Sequence, residues 1–158
     1  MTQNEAALAL AAAVARPPKP KRAGRRVETV QKEIDKIESL VKDPSNWRKF
    51  TPAQFVYLYG WLHEKVYGVT AADELARREG LGAVSACTRV LEKEFDGDSE
   101  AMMGFMQWVW KREQEREKWR RDNNIDGRRM TWRTQFSASL LTDYRLARHR
   151  RRSTRVNE

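Results

Sequence analysis

At 158 residues, with 40% apolar and 34% charged residues, the chain has length for one domain of ordinary size plus tails. No apolar run approaches the roughly 20 residues that a bilayer-crossing helix needs, and the single Cys87 excludes an internal disulfide or a zinc site built from cysteines alone. The net charge of +9 sits unevenly: residues 16–26 and 145–155 each hold six Lys or Arg and no acid, which leaves 19 basic against 22 acidic residues elsewhere.

The first fifteen residues, MTQNEAALALAAAVA, carry a small-x-small pattern at Ala13 and Ala15. They lack the positive n-region of a signal peptide, and Glu5 stands where one belongs, so the segment reads as a marginal Ala/Leu helix. Pro17, Pro18 and Pro20 then exclude a helix and favour an extended, solvated arm. Its KPKRAGRR run resembles in outline the AT-hook type of minor-groove peptide, without the proline on both sides of the central dipeptide.

From 27 to 42, Val27, Val30, Ile34, Ile37 and Val41 recur at steps of three and four, which predicts a helix of about four turns with a narrow apolar stripe. Two roles are open for that stripe, dimerisation or packing on the chain's own core. Phe50-Thr51-Pro52-Ala53-Gln54-Phe55 is the sharpest local signal. Thr51 can cap, Pro52 can open the helix, Gln54 can close a capping box, and Phe50 with Phe55 can form a hydrophobic staple. The helix it starts should end at Gly68 and, being apolar on most faces, should be central. His63 within it reads as a hydrogen-bonded packing residue rather than a ligand or base.

Thr70 is expected to begin another helix, with Asp73 reaching back to the cap. Thr70 to Leu81, with Ala76 four residues before Gly80, resembles the first helix and turn of bacterial repressors. The phase then fails: the second helix should bury Ala86 and Arg89, whereas Val84, Cys87, Leu91 and Phe95 form a stripe of their own. Two ordinary core helices fit as well. Asp98 or Ser99 should cap a long helix to about 123, with Trp108 and Trp110 covered on both sides. Residues 123–130 read as a loop, and Thr131 as the cap of a last helix to about 149. Nowhere does a period-two run predict a strand.

Along the basic half of the long helix, Arg112, Arg116 and Trp119 lie within about 80° of the Trp108 direction at 100° per residue. An indole flanked by guanidiniums can stack on bases while the cations pair with phosphates. The plainer expectation for Trp119 is a place beneath the last helix. That helix should be anchored by Trp132, Phe136, Leu140, Leu141 and Tyr144, leaving Arg133, Arg145, Arg148, Arg150, Arg151, Arg152 and Arg155 to project. If about six phosphates were neutralised, log K should fall with log salt at a slope near −5.

Catalytic signatures are missing. There is no P-loop, HExxH or GxSxG, and His63 and His149 are the only histidines. Asp96, Asp98 and Glu100 read as a turn and cap rather than a metal site. No cofactor and no metal is implied.

The stretches WRKFTPAQFVYLYGWLHEKVYGV, FMQWVWKREQEREKW and WRTQFSASLLTDYR resemble small helical proteins encoded by tailed phages and prophages. The final part is also loosely similar to the C-terminal segment of phage replication-initiation proteins, where a Trp-rich helix precedes a short loop and a Phe-x(7)-Tyr helix, as from Phe136 to Tyr144. The resemblance implies a viral DNA-transaction setting and transfers no catalytic residue.

Together these readings predict an all-α bundle of about five to six helices over 27–144, between disordered basic arms at 1–26 and 145–158. The expected activity is non-enzymatic binding of nucleic acid, DNA before RNA, in replication, transcription or packaging. The expected contacts are Lys19, Lys21, Arg22, Arg25, Arg26, Arg112, Arg116, Arg120, Arg128, Arg129, Arg133, Arg145, Arg148, Arg150, Arg151 and Arg152. The rival expectation is a helical adaptor or virion component docking an acidic phage or host protein. A second copy of the chain is a further candidate partner, a membrane is not, and the expected place is the bacterial cytoplasm, its nucleoid or the virion.

Overall fold

On α1 (Val27–Lys42) the stripe of Val30, Ile34 and Ile37 turns inward, in a computed structural model that describes residues 26–77 and 80–156. Its partners are α2 (Pro52–Tyr67) and α3 (Ala72–Ala76) of the same chain. The seam is therefore used up in the chain's own core, although Val27 at its start stays 39% exposed. Gly60 permits the approach: a Cβ there would fall 2.7 Å from Ile34 Cδ1. The last carbonyls of α1 find donors in the 3-10 turn Pro44–Lys49, where Trp47 Nε1 donates to Val41 O (2.9 Å) and Asn46 Nδ2 to Leu40 O (3.2 Å).

The start of α2 is built as its residues predict. Thr51 N donates to Gln54 Oε1 (2.9 Å), Gln54 N donates to Thr51 Oγ1 (3.3 Å), and the Phe50 and Phe55 rings lie 5.3 Å apart. Its far end closes on Gly68, whose positive φ of 71° places the amide on Glu64 O. Between them Phe55 to Gly60, His63 and Tyr67 are all buried, so α2 lies at the centre of the bundle.

Thr70 rather than Asp73 supports the next turn, its Oγ1 accepting from Ala72 N (3.1 Å). At five residues α3 is barely more than one turn before the chain reaches α4 (Leu81–Phe95). A small residue is indeed required where they meet, because a Cβ on Gly80 would lie 2.2 Å from the Leu75 carbonyl oxygen. The helix after that turn buries Ala83, Cys87, Val90 and Leu91, while Ser85, Arg89, Glu92 and Lys93 face outward. Its outward face mixes both signs of charge and is not a cationic reading head.

Asp98 caps α5 (Ser99–Asp122), accepting from Ala101 N (3.1 Å), and Ser99 Oγ donates to Phe50 O (2.7 Å). Trp110 is buried against Tyr59, His63 and Tyr67 on one side of α5, and Trp108 meets Tyr144 on the other. Thr131 caps the short α6 (Trp132–Gln135), and Ser137 starts α7 (Ala138–Val156) by accepting from Leu140 N (3.4 Å).

The C-terminal end differs from the sequence expectation. The segment 145–155 is no loose arm: α7 passes through it without a break and continues to Val156. It contains neither proline nor glycine, arginine is a good helix former, and cations at a helix C-terminus suit the macrodipole. The last helix is also split, because Phe136 is buried at the end of α6 and Ser137 offers a fresh cap. Among the described residues there is no strand, and no helix is long and apolar enough to cross a membrane. Residues 1–25, with the proline-containing segment and its basic run, lie outside the described residues.

Candidate nucleic-acid interface

The seam between α5 and α7 opens to solvent as a groove of about 620 Å³. Its floor is Gly104, Trp108 and Tyr144, and Arg148, Arg151, Arg152 and Arg155 form one wall. The two helices run antiparallel here: Tyr144 sits against Phe105 and Trp108, while the later arginines of α7 share the groove with Asp98, Glu100 and Ala101.

Four side chains make a column across this seam. The Arg112 guanidinium lies 4.4 Å over the Trp108 ring, Trp108 lies 5.4 Å from Tyr144, and Arg148 lies 5.6 Å over Tyr144. Each cation follows its ring by four residues, so the aromatic packed at the seam carries the guanidinium to the rim. Stacking holds a guanidinium by its face and leaves its N–H edge directed outward, the geometry that pairs with phosphate oxygens. Asp98 and Glu100 close one end of the groove with negative charge, and Arg48 pairs with Glu100 (3.1 Å). A polyanion would be repelled there and drawn toward the rest of the wall.

The other predicted contacts are distributed unequally. Arg116 is exposed one turn beyond Arg112, and Arg150 is exposed about 200° round α7 from Arg148. Arg145 is paired with Glu94, and Arg133 stacks 4.8 Å over Trp132. Arg128 and Arg129 are exposed on the 123–131 connection, and Arg26 is exposed at the head of α1. Lys19, Lys21, Arg22 and Arg25 lie outside the described residues. Arg120 does not face outward: its side chain, only 21% exposed, donates to the buried Glu113 (3.2 Å) and pairs with Glu117 (3.5 Å).

Arg120 belongs to a polar network that fixes the 123–131 connection to the bundle. Tyr67 Oη donates to Glu113 Oε1 (2.7 Å) and accepts from Met130 N (2.8 Å). Tyr59 Oη lies 2.9 Å from Glu74 Oε2 and 3.0 Å from Met130 O, sharing its proton between them, and Glu74 Oε1 accepts from Trp132 N (3.2 Å). Burial first, and then the neighbouring carboxylates, pushes both phenols well above their ordinary range. His63 Nδ1 donates to Val69 O (2.9 Å), and burial holds the ring below its usual pKa, so it packs as a neutral imidazole. Cys87 is fully buried and its thiol is pushed up by desolvation.

Of the aromatic and basic side chains that line the groove, Trp108, Tyr144 and Arg155 are not among the predicted contacts. Trp108 and Tyr144 read as core residues, and the signal that marks them is the aromatic–arginine pair at four-residue spacing. Arg155 was visible only as part of a basic tail. The sequence places Trp119 beneath the last helix, whereas in the structure it is 59% exposed. The reason is direction: α7 runs back from Tyr144 toward the N-terminal end of α5, so it does not cover the turns beyond Arg112. Comparison with protein-family models, curated proteins and solved structures finds no significant match to this chain.

Proposed function

We propose that the protein binds nucleic acid, DNA in the first instance, and works by that binding rather than by catalysis. The observation that supports this reading most strongly is the column of Arg112, Trp108, Tyr144 and Arg148, continued along the groove wall by Arg151, Arg152 and Arg155. Residues 145–155 contain no acid, so their charge is not neutralised within the segment itself. A rigid helix carrying that charge presents its guanidiniums at fixed spacing, which lowers the ordering cost of meeting a line of phosphates. Release of condensed counterions then drives association. Phosphate contacts position a protein on nucleic acid without reading sequence, so little base specificity is expected from this wall. The phage resemblance of the sequence fits an accessory role in replication, transcription or packaging.

Fluorescence anisotropy with a labelled oligonucleotide at about 50 and 200 mM salt tests the proposal. Micromolar or tighter binding at low salt, weakening steeply at high salt, is expected. Absence of binding at low salt overturns it. Co-purification with host nucleic acid separates this reading from docking on an acidic protein, which predicts a nucleic-acid-free preparation.

A further inference from the structure

We infer that Trp119 is a stacking platform for an unpaired base, which makes the preferred ligand single-stranded nucleic acid; the inference rests on the binding reading above. Trp119 leaves 59% of its surface in water, the largest exposure of any aromatic residue described here. Among the described residues no ring or cation stacks on it, in contrast to Trp61, Trp108 and Trp132, each of which is covered by Lys65, Arg112 or Arg133. Its indole therefore contributes little to the fold, and its apolar faces are open.

The surroundings suit a nucleotide. On the same stripe of α5, Arg112 and Arg116 are set back from Trp119 by about 10 Å and 4.5 Å along the axis. A base lying on the indole would leave its flanking phosphates within reach of those guanidiniums. Lys118 is also exposed beside it. Glu115 and Asp122 flank the ring as well, but Glu113 and Glu117 are already engaged by Arg120 and Arg121. The exposed cations of this half-helix therefore outnumber its free carboxylates. A duplex keeps its base faces stacked inside and offers the ring nothing to cover, whereas a single strand offers a π-face at every nucleotide.

The test titrates the full chain with a 20-nucleotide oligothymidine, an abasic oligomer of the same length and a 20-base-pair duplex, using Trp119→Ala and Trp119→Phe beside the wild type. The wild type should bind oligothymidine about tenfold more tightly than the abasic strand. Trp119→Ala should lose about that factor on oligothymidine alone, with duplex affinity held within about twofold, and Trp119→Phe should recover most of it. Circular dichroism would check that both variants keep their helix. Equal affinity of the wild type for thymidine and abasic strands overturns the platform while leaving the arginine surface standing, as does a Trp119→Ala variant that matches wild type on oligothymidine. If the wild type binds none of the three, the binding reading and the platform fall together.

Discussion

Tyr144 meets Trp108 across the seam of α5 and α7 with ring centroids 5.4 Å apart and planes inclined at 59°. Phe105 adds a second ring to Tyr144 at 5.3 Å, so this one side chain carries much of the attachment of α7. Tyr144→Ala should cost about 3 kcal/mol. Because α7 beyond it is mostly exposed and carries six arginines and no acid, far-ultraviolet circular dichroism should show helix lost before the main unfolding transition. A variant whose helix content and melting match wild type would mean that α7 is held by something other than these rings.

The polar network beneath the 123–131 connection gives a second expectation. Tyr67→Phe removes both a donor to the buried Glu113, which keeps Arg120, and the acceptor for Met130 N, which is left without a partner, and should cost about 1–3 kcal/mol. Glu113→Ala strips Arg120 of its buried partner and should cost about 3 kcal/mol. Urea denaturation measures both, and the double variant should fall short of the sum because the two share one hydrogen bond.

Arginines on the groove wall and the inward arginine should separate by assay. Replacing Arg148, Arg151, Arg152 and Arg155 together by Gln should lower the log–log salt slope of nucleic-acid binding by about 3, with the melting temperature nearly unchanged. Arg120→Gln should leave the slope alone and destabilise the fold by about 2 kcal/mol, since its partner Glu113 is buried. Reversal of the two effects would place the interface elsewhere.

The sign of the pH dependence follows from His63. Burial lowers its folded pKa below the ordinary 6.5, so the unfolded chain takes up the proton first as pH falls. The stability tied to the neutral ring is present above pH 6.5 and is lost progressively below it until the folded ring also titrates. Melting temperatures at about pH 7 and about pH 5.5 should therefore differ, and His63→Asn, which keeps a donor for Val69 O, should narrow that difference. An unchanged difference in the variant would assign the pH dependence to other groups.

Two glycines should respond in opposite directions. A Cβ on Gly80 meets the Leu75 carbonyl oxygen at 2.2 Å and Leu75 Cα at 2.8 Å, so Gly80→Ala must push backbone apart and should cost about 2–3 kcal/mol. A Cβ on Gly104 meets nothing nearer than Tyr144 Oη at 3.5 Å, and Gly104→Ala in mid-helix should stabilise by about 0.5–1 kcal/mol. Thermal unfolding decides both.

Local signals determined a good deal of this molecule. The capping box at Thr51 and Gln54, the left-handed stop at Gly68 and, to within one residue, the cap at Asp98 are interactions within a few residues, so their positions could be read from spacing. So could the α1 stripe and the uneven charge, because helical periodicity and composition are properties of the chain itself. Tertiary structure decided what covers what. Whether the α1 stripe met α2 or a second chain, whether Trp119 lay beneath α7 or in water, and whether Arg120 faced phosphate or Glu113 all depend on which helices run antiparallel and where they stop. Sequence spacing sets the direction of a side chain on its own helix. What stands in that direction is set by contacts between residues far apart in the chain, which no local pattern encodes.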